Sequence, residues 1–437
     1  MLNLRLLLAL SLLISAFAQA GFYTAAHSTE AVMTFDASMD YSGPEWPSVA
    51  DAKIAVGVQL DHLFGPMAAA KYQAVPKEDF QLTNVKVSEK PGVTGVWVIK
   101  YSYIGKILVE NGPKDDYEIT LPVNPTLIYQ AGIVTAADGS VTYPCTDHHY
   151  QSEGDFWYFW NPLQKDCPLV EGKDYFRVDA SIERIANTEE TYPEYNRLAK
   201  KGTIAIDMIF GMYENSERDP AVSQDAGGQN YMRHRKELVG MGYTARTLST
   251  SEVSALVHFT SMPFIEEFKK ETPQGTILVR AFYGNTTDSA DGFHWFYRDS
   301  LQNSAVMIYD GHSGLGGFLN VNELEDEEGY KITFAVNQYQ IYYFNSCSSY
   351  SYYNKAYFAR KATAADPKGT HNLDIISNGL ETSFDVSHDT NLALVKAIDL
   401  WATTGKATSY QKLASTIDSG NLTGINGDED NPKPVTE

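Results

Sequence analysis

Residues 305–314, which read AVMIYDGHSG, give the clearest indication of the fold class of this chain. A continuous apolar run leads directly into a turn of small residues that carries His312. Residues 340–349, QIYYFNSCSS, repeat this arrangement and carry Cys347 in the turn. Unbroken apolar runs are typical of strands that are covered on both faces of a sheet. Both stretches are therefore predicted to be core strands of a sheet flanked by helices.

The same texture extends over the C-terminal half of the chain. Further apolar runs predict strands at 203–210 and 276–283, and helical spacing or capping signals occur between the runs. Strands that alternate with helices indicate βαβ units and a mostly parallel sheet. The predicted helices are 231–241, one that begins after Ser249, one with Phe264, Ile265 and Phe268, one with Phe293, Phe296, Tyr297 and Leu301, and 392–403, which ends before Gly405.

The N-terminal half has the texture of an antiparallel sheet. Apolar and polar residues alternate at 54–60 and 117–123, and turn signals separate the segments. No helix of convincing length is predicted before residue 190. We therefore expect a multidomain chain. Its predicted parts are a β-rich, sandwich-like accessory domain over 21–190, a polar boundary at 186–202, an α/β domain over 200–415 and a disordered acidic tail over 420–437.

The first twenty residues resemble a secretory signal peptide. Arg5 precedes an apolar run at 6–17, and Ala18-Gln19-Ala20 has the small-x-small form of a cleavage site. The apolar run is too short for a membrane anchor, and no later stretch is long and apolar enough to cross a bilayer. The mature protein is therefore expected to be exported, either periplasmic or secreted.

The three cysteines divide into a pair and a remainder. Cys145 and Cys167 lie 22 residues apart in one polar and aromatic segment. They are predicted to form a disulfide, which contributes about 3 kcal/mol in the chain-entropy model. Cys347 is then left over. An unpaired thiol in an oxidising compartment needs a reason, and a reactive role is one.

The charge of the chain excludes some classes of partner. The formal net charge is −21, from 55 acidic and 34 basic residues. Such a surface repels phosphate backbones, so we expect no nucleic-acid partner and no affinity for an anionic membrane. No cofactor is predicted. No metal site is predicted either, because pairing of Cys145 leaves only Asp147 and the adjacent His148 and His149, and neighbouring histidines rarely bind one ion.

The two strand-end turns are the candidate catalytic centre. In open α/β sheets, catalytic groups gather at the carboxyl ends of strands, so His312 and Cys347 meet if their strands are neighbours. The imidazole would then take the proton of the thiol, whose thiolate is the nucleophile. Backbone N–H groups of Cys347 and of Ser313 and Gly314 would form an oxyanion hole. Asp310 shares a face with His312 in extended backbone, and it either orients the imidazole or is a solvated carboxylate.

This arrangement resembles the caspase-like cysteine peptidases, which include caspases, gingipains, clostripain, legumain and separase. In that family the catalytic histidine follows one core strand and the catalytic cysteine follows the next. The resemblance covers about residues 203–400 and implies a peptidase with Cys347 as nucleophile and His312 as general base. It departs from the family pattern at Ser313, where many members have glycine, and at Ser346, where alanine is common.

The resemblance also suggests where a substrate is selected. This fold often builds its specificity pocket on the strand beyond the cysteine, which here is 374–382. Asp374 or Glu381 would favour a basic side chain of a protein or peptide substrate. The main alternative is an exported binding or surface-interaction protein that keeps the scaffold without turnover. An acyl or amide transferase with the same dyad is a third possibility.

Overall fold

The computed structural model describes residues 23–43, 45–70, 72–73, 80–112, 116–188, 190–212, 217–256, 263–287 and 291–427. The chain divides into two compact units at Ala186. The first unit holds residues 29–186, and the second holds 187 onward together with the short strand β1 (Tyr23–Ala25). β1 thus belongs to the second unit, although the sequence placed it in the N-terminal domain. The predicted signal peptide, 1–20, lies outside the described residues.

The first unit is built on one six-stranded sheet, in which β4 pairs β5 and the path of the other strands is β3-β5-β2-β9-β6, with a separate hairpin of β7 and β8. A second facing sheet of similar size is absent from the described part of this unit, so the sandwich form is not seen there. Its strands are β2 (Ser28–Ser42), β3 (Tyr72–Gln73), β4 (Phe80–Glu89), β5 (Val96–Glu110), β6 (Asp116–Pro122), β7 (Val134–Thr135), β8 (Val141–Thr142) and β9 (Tyr175–Arg184). Its helices are α1 (Val49–Asp61), α2 (Phe64–Ala69), α3 (Ile128–Ala131) and α4 (Phe156–Phe159).

Helix α1 corrects two predictions, because residues 54–60 were expected to form a strand and no long helix was expected before 190. Ser48 and Asp51 form a reciprocal capping box that begins the helix. The buried positions, Ala52, Val56 and Leu60, recur at helical spacing. The apolar alternation in the sequence arises because Ile54 and Val58 are exposed on the opposite face, at 69% and 40%.

The predicted disulfide between Cys145 and Cys167 is confirmed. Cys145 is fully buried in a small core that also contains Ile128, Phe156, Trp160 and Leu169. The aromatic run at 156–160 therefore contributes its largest side chain to packing beside the disulfide. This core buries few side chains, and a disulfide commonly adds to the stability that such a small core provides.

The second unit contains a mixed sheet of nine strands, in the order β1-β17-β16-β15-β14-β10-β13-β12-β11. The neighbours from β13 to β16 in this order run parallel, and antiparallel strands flank them on both sides. Its strands are β10 (Thr203–Met212), β11 (Thr244–Thr247), β12 (Phe264–Thr272), β13 (Gly275–Asn285), β14 (Val306–Asp310), β15 (Gln340–Asn345), β16 (Leu373–Ser377) and β17 (Gly424–Asn426). Its helices are α5 (Tyr195–Leu198), α6 (Ala226–Gly240), α7 (Thr250–Leu256), α8 (Asp291–Asn303), α9 (Val321–Glu328), α10 (Ser349–Lys361), α11 (Phe384–Thr404) and α12 (Tyr410–Ile417).

Both faces of this sheet are covered, which confirms the α/β reading of the apolar runs. On one face, Ile308 and Tyr343 pack in a buried cluster with Leu394 of α11. On the other face, Met307 and Phe344 pack in a second cluster that includes residues of α8 and α10. Each central strand therefore buries successive side chains in alternate directions, and an unbroken apolar run is the consequence.

Two predictions for this unit are wrong. Residues 264–268 were expected to be helical but lie in β12, which pairs antiparallel with β13 so that Thr272 faces Gly275. The positive φ of Gly275, +133°, makes that tight hairpin possible. In addition, β17 lies within 420–437, so the stretch predicted to be a disordered tail begins with a strand paired to β16 and β1. Residues 428–437 lie outside the described residues.

Membrane-spanning helices are absent from the residues that the structure describes. None of their helices combines the length and the apolar character that a bilayer crossing requires.

Candidate active site

The two strands that carry the candidate dyad are neighbours. β14 and β15 run parallel, and their register pairs Asp310 with Asn345. His312 and Cys347 each follow two residues beyond that pair. Adjacent strands of a sheet lie about 4.8 Å apart, so the two turns leave the same edge at equivalent positions. His312 is exposed and Cys347 is half-buried, so both face the edge that solvent reaches.

The turn that carries His312 is fixed from below by Tyr309. The Tyr309 hydroxyl donates to the carbonyl oxygen of His312 at 2.7 Å and is hydrogen-bonded to the Thr286 hydroxyl at 3.1 Å. Gly311 is required here, because a Cβ at that position would lie 2.7 Å from the Tyr309 hydroxyl oxygen. The hydroxyl therefore occupies the space that the missing side chain of Gly311 leaves. Its hydrogen bond fixes the position of the His312 backbone relative to the end of β14.

The chain after His312 makes a tight loop with unusual backbone angles. Gly314, Leu315 and Gly316 all have positive φ, +55°, +54° and +95°. The amides of Gly316 and Phe318 both donate to the Ser313 carbonyl and close this loop. Within the described residues, the amides of Ser313 and Gly314 donate to no acceptor. These two N–H groups are therefore free to serve as oxyanion donors.

The turn that carries Cys347 leads directly into helix α10. Ser348 has a positive φ of +51°, a conformation that is rare for residues with a side chain. Its amide donates to the carbonyl of Leu380 at 3.0 Å, so the loop after β16 packs against this turn. The sulfur thus lies beside the first turn of a 13-residue helix. The N-terminus of a helix favours negative charge, including a thiolate.

Other contacts oppose ionisation of the thiol. Burial is the largest influence on the thiol of Cys347; together with a hydrogen bond from the backbone of Thr382, which lowers the pKa, and the nearby carboxylate of Glu381, which raises it, burial brings the pKa to about 11. The net effect is a thiol that is protonated at neutral pH. A base must therefore remove the proton as the sulfur attacks.

Glu381 and Asp374, the two predicted specificity residues, lie at different places. Glu381 is exposed and close enough to Cys347 to influence its pKa, so the structure brings it to the candidate site. Asp374 instead pairs with Ile341 near the amino ends of β15 and β16. It is fully buried and accepts hydrogen bonds from the hydroxyls of Tyr339 and Tyr410. The structure therefore does not bring Asp374 to the site.

Asp310 lies behind the candidate site. Its side chain is buried, and its Oδ2 accepts a hydrogen bond from Asn391 of α11 at 3.0 Å. Burial raises the pKa of Asp310, and hydrogen bonds from Ser387, Asn391 and Asn230 offset part of this rise, so that the pKa is about 7. Asp310 is thus not a solvated carboxylate. A role in orienting His312 stays a prediction.

The sequence reading missed a set of amide side chains behind the sheet edge. Asn345 ends β15, Asn378 follows β16 and Asn391 lies in α11. All three are buried, and Asn345 is hydrogen-bonded to each of the other two. A polar residue at the end of each apolar strand was the available signal. Nothing local to Asn391 connects it with residues nearly fifty positions earlier.

A separate group of metal-ligating residue types lies on the first unit. Candidate ligand atoms of Asp147, His148 and His149 lie within 4.8 Å of one another. The Asp147 carboxylate accepts from both the backbone amide and the Nδ1 of His149, which makes this a closed surface turn. The histidines are exposed, and their grouping follows from that turn.

Comparison with known proteins adds no constraint. No protein-family model matches the chain, and no curated protein matches it.

Proposed function

We propose that this protein is a cysteine hydrolase, most simply a peptidase, with Cys347 as nucleophile and His312 as general base. One observation carries this proposal, namely the register that pairs Asp310 with Asn345 and so brings the two turns to the same sheet edge. A nucleophile and its base need that proximity. The placement of Cys347 at the start of α10 adds support.

The chemistry follows from the protonated state of the thiol. His312 takes the proton from Cys347 while the sulfur attacks the carbonyl carbon of the substrate. The negative charge on the carbonyl oxygen is stabilised by the amides of Cys347, Ser313 and Gly314. The imidazolium then gives its proton to the leaving amine and a thioester remains. Water, deprotonated by His312, hydrolyses the thioester and restores the thiol.

The caspase-like architecture is part of the same proposal. In the resemblance, the histidine follows one core strand and the cysteine follows the next, and the adjacency of β14 and β15 supports it. The expected substrate is a protein or peptide. Glu381, beside the thiol, supports a preference for a basic side chain near the cleaved bond.

The proposal is tested with the full mature chain and unfolded casein as substrate. We expect fragments from the native protein, and no fragments above background from Cys347→Ala or His312→Ala. Mass spectrometry of the native protein should show the nucleophile trapped by a chloromethyl ketone peptide. Unchanged cleavage by Cys347→Ala would refute the proposal, as would the absence of any hydrolysis over a panel of peptides, esters and amides.

A second candidate function is non-catalytic binding, and one observation on the first unit favours it. A groove of about 270 Å³ is lined by apolar residues that include Met39, Ile54, Val58 and Pro125. Ile54 and Val58 are both exposed and both line this groove, and adjoining exposed apolar side chains are a feature of binding surfaces. If binding is the function, capture of a partner should survive Cys347→Ala and be lost in Ile54→Lys.

We also infer that the protein is exported, to the periplasm or beyond the cell. The Cys145–Cys167 disulfide supports this location, because such links persist in oxidising compartments. Fractionation of producing cells should find the chain outside the cytoplasm and shortened after Ala20. A chain that keeps residues 1–20 and stays with the cytoplasmic fraction would overturn this inference.

A further inference from the structure

A line of buried polar side chains runs behind the edge that carries His312 and Cys347. The Thr423 hydroxyl donates to the Oδ1 of Asn378 at 2.8 Å, and the amide of Asn378 donates to the Oδ1 of Asn345 at 3.0 Å. Asn345 donates to the Oδ1 of Asn391 at 2.9 Å, and Asn391 donates to the Oδ2 of Asp310 at 3.0 Å. Every group in the line donates in the same direction, toward the carboxylate.

The line crosses the two strands that carry the candidate dyad. Asp310 is the last residue of β14, and Asn345 is the last residue of β15. Asn391 donates to one and accepts from the other, so a single side chain of α11 ties the two strand ends together. All three side chains are almost fully buried, and in such surroundings a hydrogen bond is strong and an unmade one is costly.

The line also reaches the thiol. The Thr382 hydroxyl donates to the Oδ1 of Asn345 at 3.1 Å, while the backbone amide of the same residue donates to the sulfur of Cys347. Asn378 further donates to the carbonyl of Ser346, the residue before the cysteine, at 3.3 Å. Asn345 therefore holds the segment that contacts the sulfur, and Asn391 holds Asn345.

We propose that Asn391 is a positioning residue for Cys347, acting through Asn345 and Thr382 to keep the thiol buried and aligned at the sheet edge. The part of this proposal that concerns turnover rests on the proposed hydrolase function. The part that concerns the thiol does not, because the reactivity of a cysteine toward a small alkylating reagent is measured without any substrate.

Three variants separate this role from general stability. Asn391→Leu removes both hydrogen bonds at similar volume. In the double variant Asp310→Asn with Asn391→Asp, the carboxylate moves by one position. It can accept from Asn345 with one oxygen and from the new amide at 310 with the other, so both bonds are restored with the charge kept in the pair. Asn391→Asp alone instead places two carboxyl groups side by side, and one of them must stay protonated.

The experiment measures the rate of iodoacetamide labelling of Cys347 in the folded full-length chain at pH 8, with circular dichroism to determine the folded fraction. Loss of the line frees Thr382 and exposes the thiol. Losing the Thr382 amide raises the pKa of the thiol, but exposure removes burial, the largest cause of the raised pKa, so on balance the thiolate fraction rises. We expect labelling at least about fivefold faster in Asn391→Leu and in Asn391→Asp. The double variant should return to within about twofold of the native rate.

The matched control is Asp374→Asn, which alters a buried carboxylate near the amino ends of β15 and β16, whereas Cys347 lies beyond the carboxyl end of β15. Its labelling rate should stay near that of the native protein, even where its stability falls. Unchanged or slower labelling in Asn391→Leu would overturn the proposal. If that variant fails to fold, the double variant decides, because a rate far from native despite restored folding refutes the role. Altered labelling without hydrolysis by the native protein would refute the proposed function alone.

Discussion

The hydroxyl of Tyr309 supports the backbone of His312 from inside the sheet, with 2.7 Å between the phenolic oxygen and the histidine carbonyl oxygen. Tyr309 is fully buried, and burial raises the pKa of its hydroxyl far above the usual value. The hydroxyl therefore remains a proton donor over the whole physiological pH range. The buried side chain of Tyr309 thus fixes the backbone position of His312, which is exposed.

Tyr309→Phe is expected to loosen the histidine turn. The carbonyl of His312 and the hydroxyl of Thr286 lose a buried partner, so the free energy of unfolding should fall by about 1–3 kcal/mol. The kcat of hydrolysis should also fall. It is measured at a temperature where the variant is fully folded, so that lower stability does not account for the decrease. Tyr342→Phe is the control, because its hydroxyl bonds to Gln340 at the amino end of the neighbouring strand β15 and to Leu301 of α8. Equal kcat in the two variants would contradict the expectation.

Glu381→Gln is expected to make Cys347 more acidic. The Glu381 carboxylate contributes to the raised pKa of the thiol, about 11, so its removal lowers that pKa. More thiolate is then present at every pH below the pKa, and iodoacetamide labelling at pH 9 should rise about two- to tenfold. Glu271→Gln, at the hairpin between β12 and β13, should leave the rate unchanged. A fall in the labelling rate of Glu381→Gln would show that the carboxylate acts in the opposite sense.

Lys361 should make the stability of the second unit depend on pH. Burial lowers the pKa of its ammonium group to about 7, and Nζ donates to the carbonyls of Ala335 and Gln338. Between pH 7 and the ordinary lysine value, the unfolded chain binds a proton that the folded chain does not, so stability should rise with pH across this range. Lys361→Met should remove that rise, as measured by urea unfolding at pH 6.5, 8 and 9.5. A slope that persists in the variant would assign it to other groups.

Removal of the disulfide should destabilise the first unit alone. Cys145→Ala with Cys167→Ala is expected to lower the free energy of unfolding by about 3 kcal/mol, because the unfolded chain regains freedom and the core around Trp160 loses a partner. Hydrogen exchange should become faster in peptides from 128–175. Peptides from β14 and β15 lie outside the segment that the disulfide closes and should keep their native protection, and faster exchange there would contradict this expectation.

The sequence predicted secondary structure correctly where the pattern within one strand shows that both of its faces are buried. The runs that became β14 and β15 are apolar except for polar residues at strand ends because both faces are covered, and short runs of this kind between turn signals favour strands. Short amphipathic segments are compatible with either a strand or a helix. Residues 54–60 alternate like a strand but lie in α1, where a capping box and neighbouring sheet select the helix. Phe264, Ile265 and Phe268 have helical spacing, yet the hairpin at Gly275 pairs them with β13.

The candidate site was predictable only in part for a related reason. His312 and Cys347 stand out because each follows a recognisable strand. Asn391 does not, because its importance depends on a contact with Asn345 that spans 46 residues and forms only when α11 packs on the sheet. Asp374 was misplaced because the sequence shows that it belongs to a strand but not which end of that strand faces the site.

The pairing of β1 with β17 has a consequence for the order in which the chain is completed. β1 leaves the ribosome before any residue of the first unit, but its partner emerges only after β16. Residues 29–186 are contiguous and can fold while β1 still waits. This side of the nine-stranded sheet is therefore completed late in biosynthesis. Until then the nascent chain exposes the unpaired backbone groups of a strand, which can pair with another chain and cause aggregation.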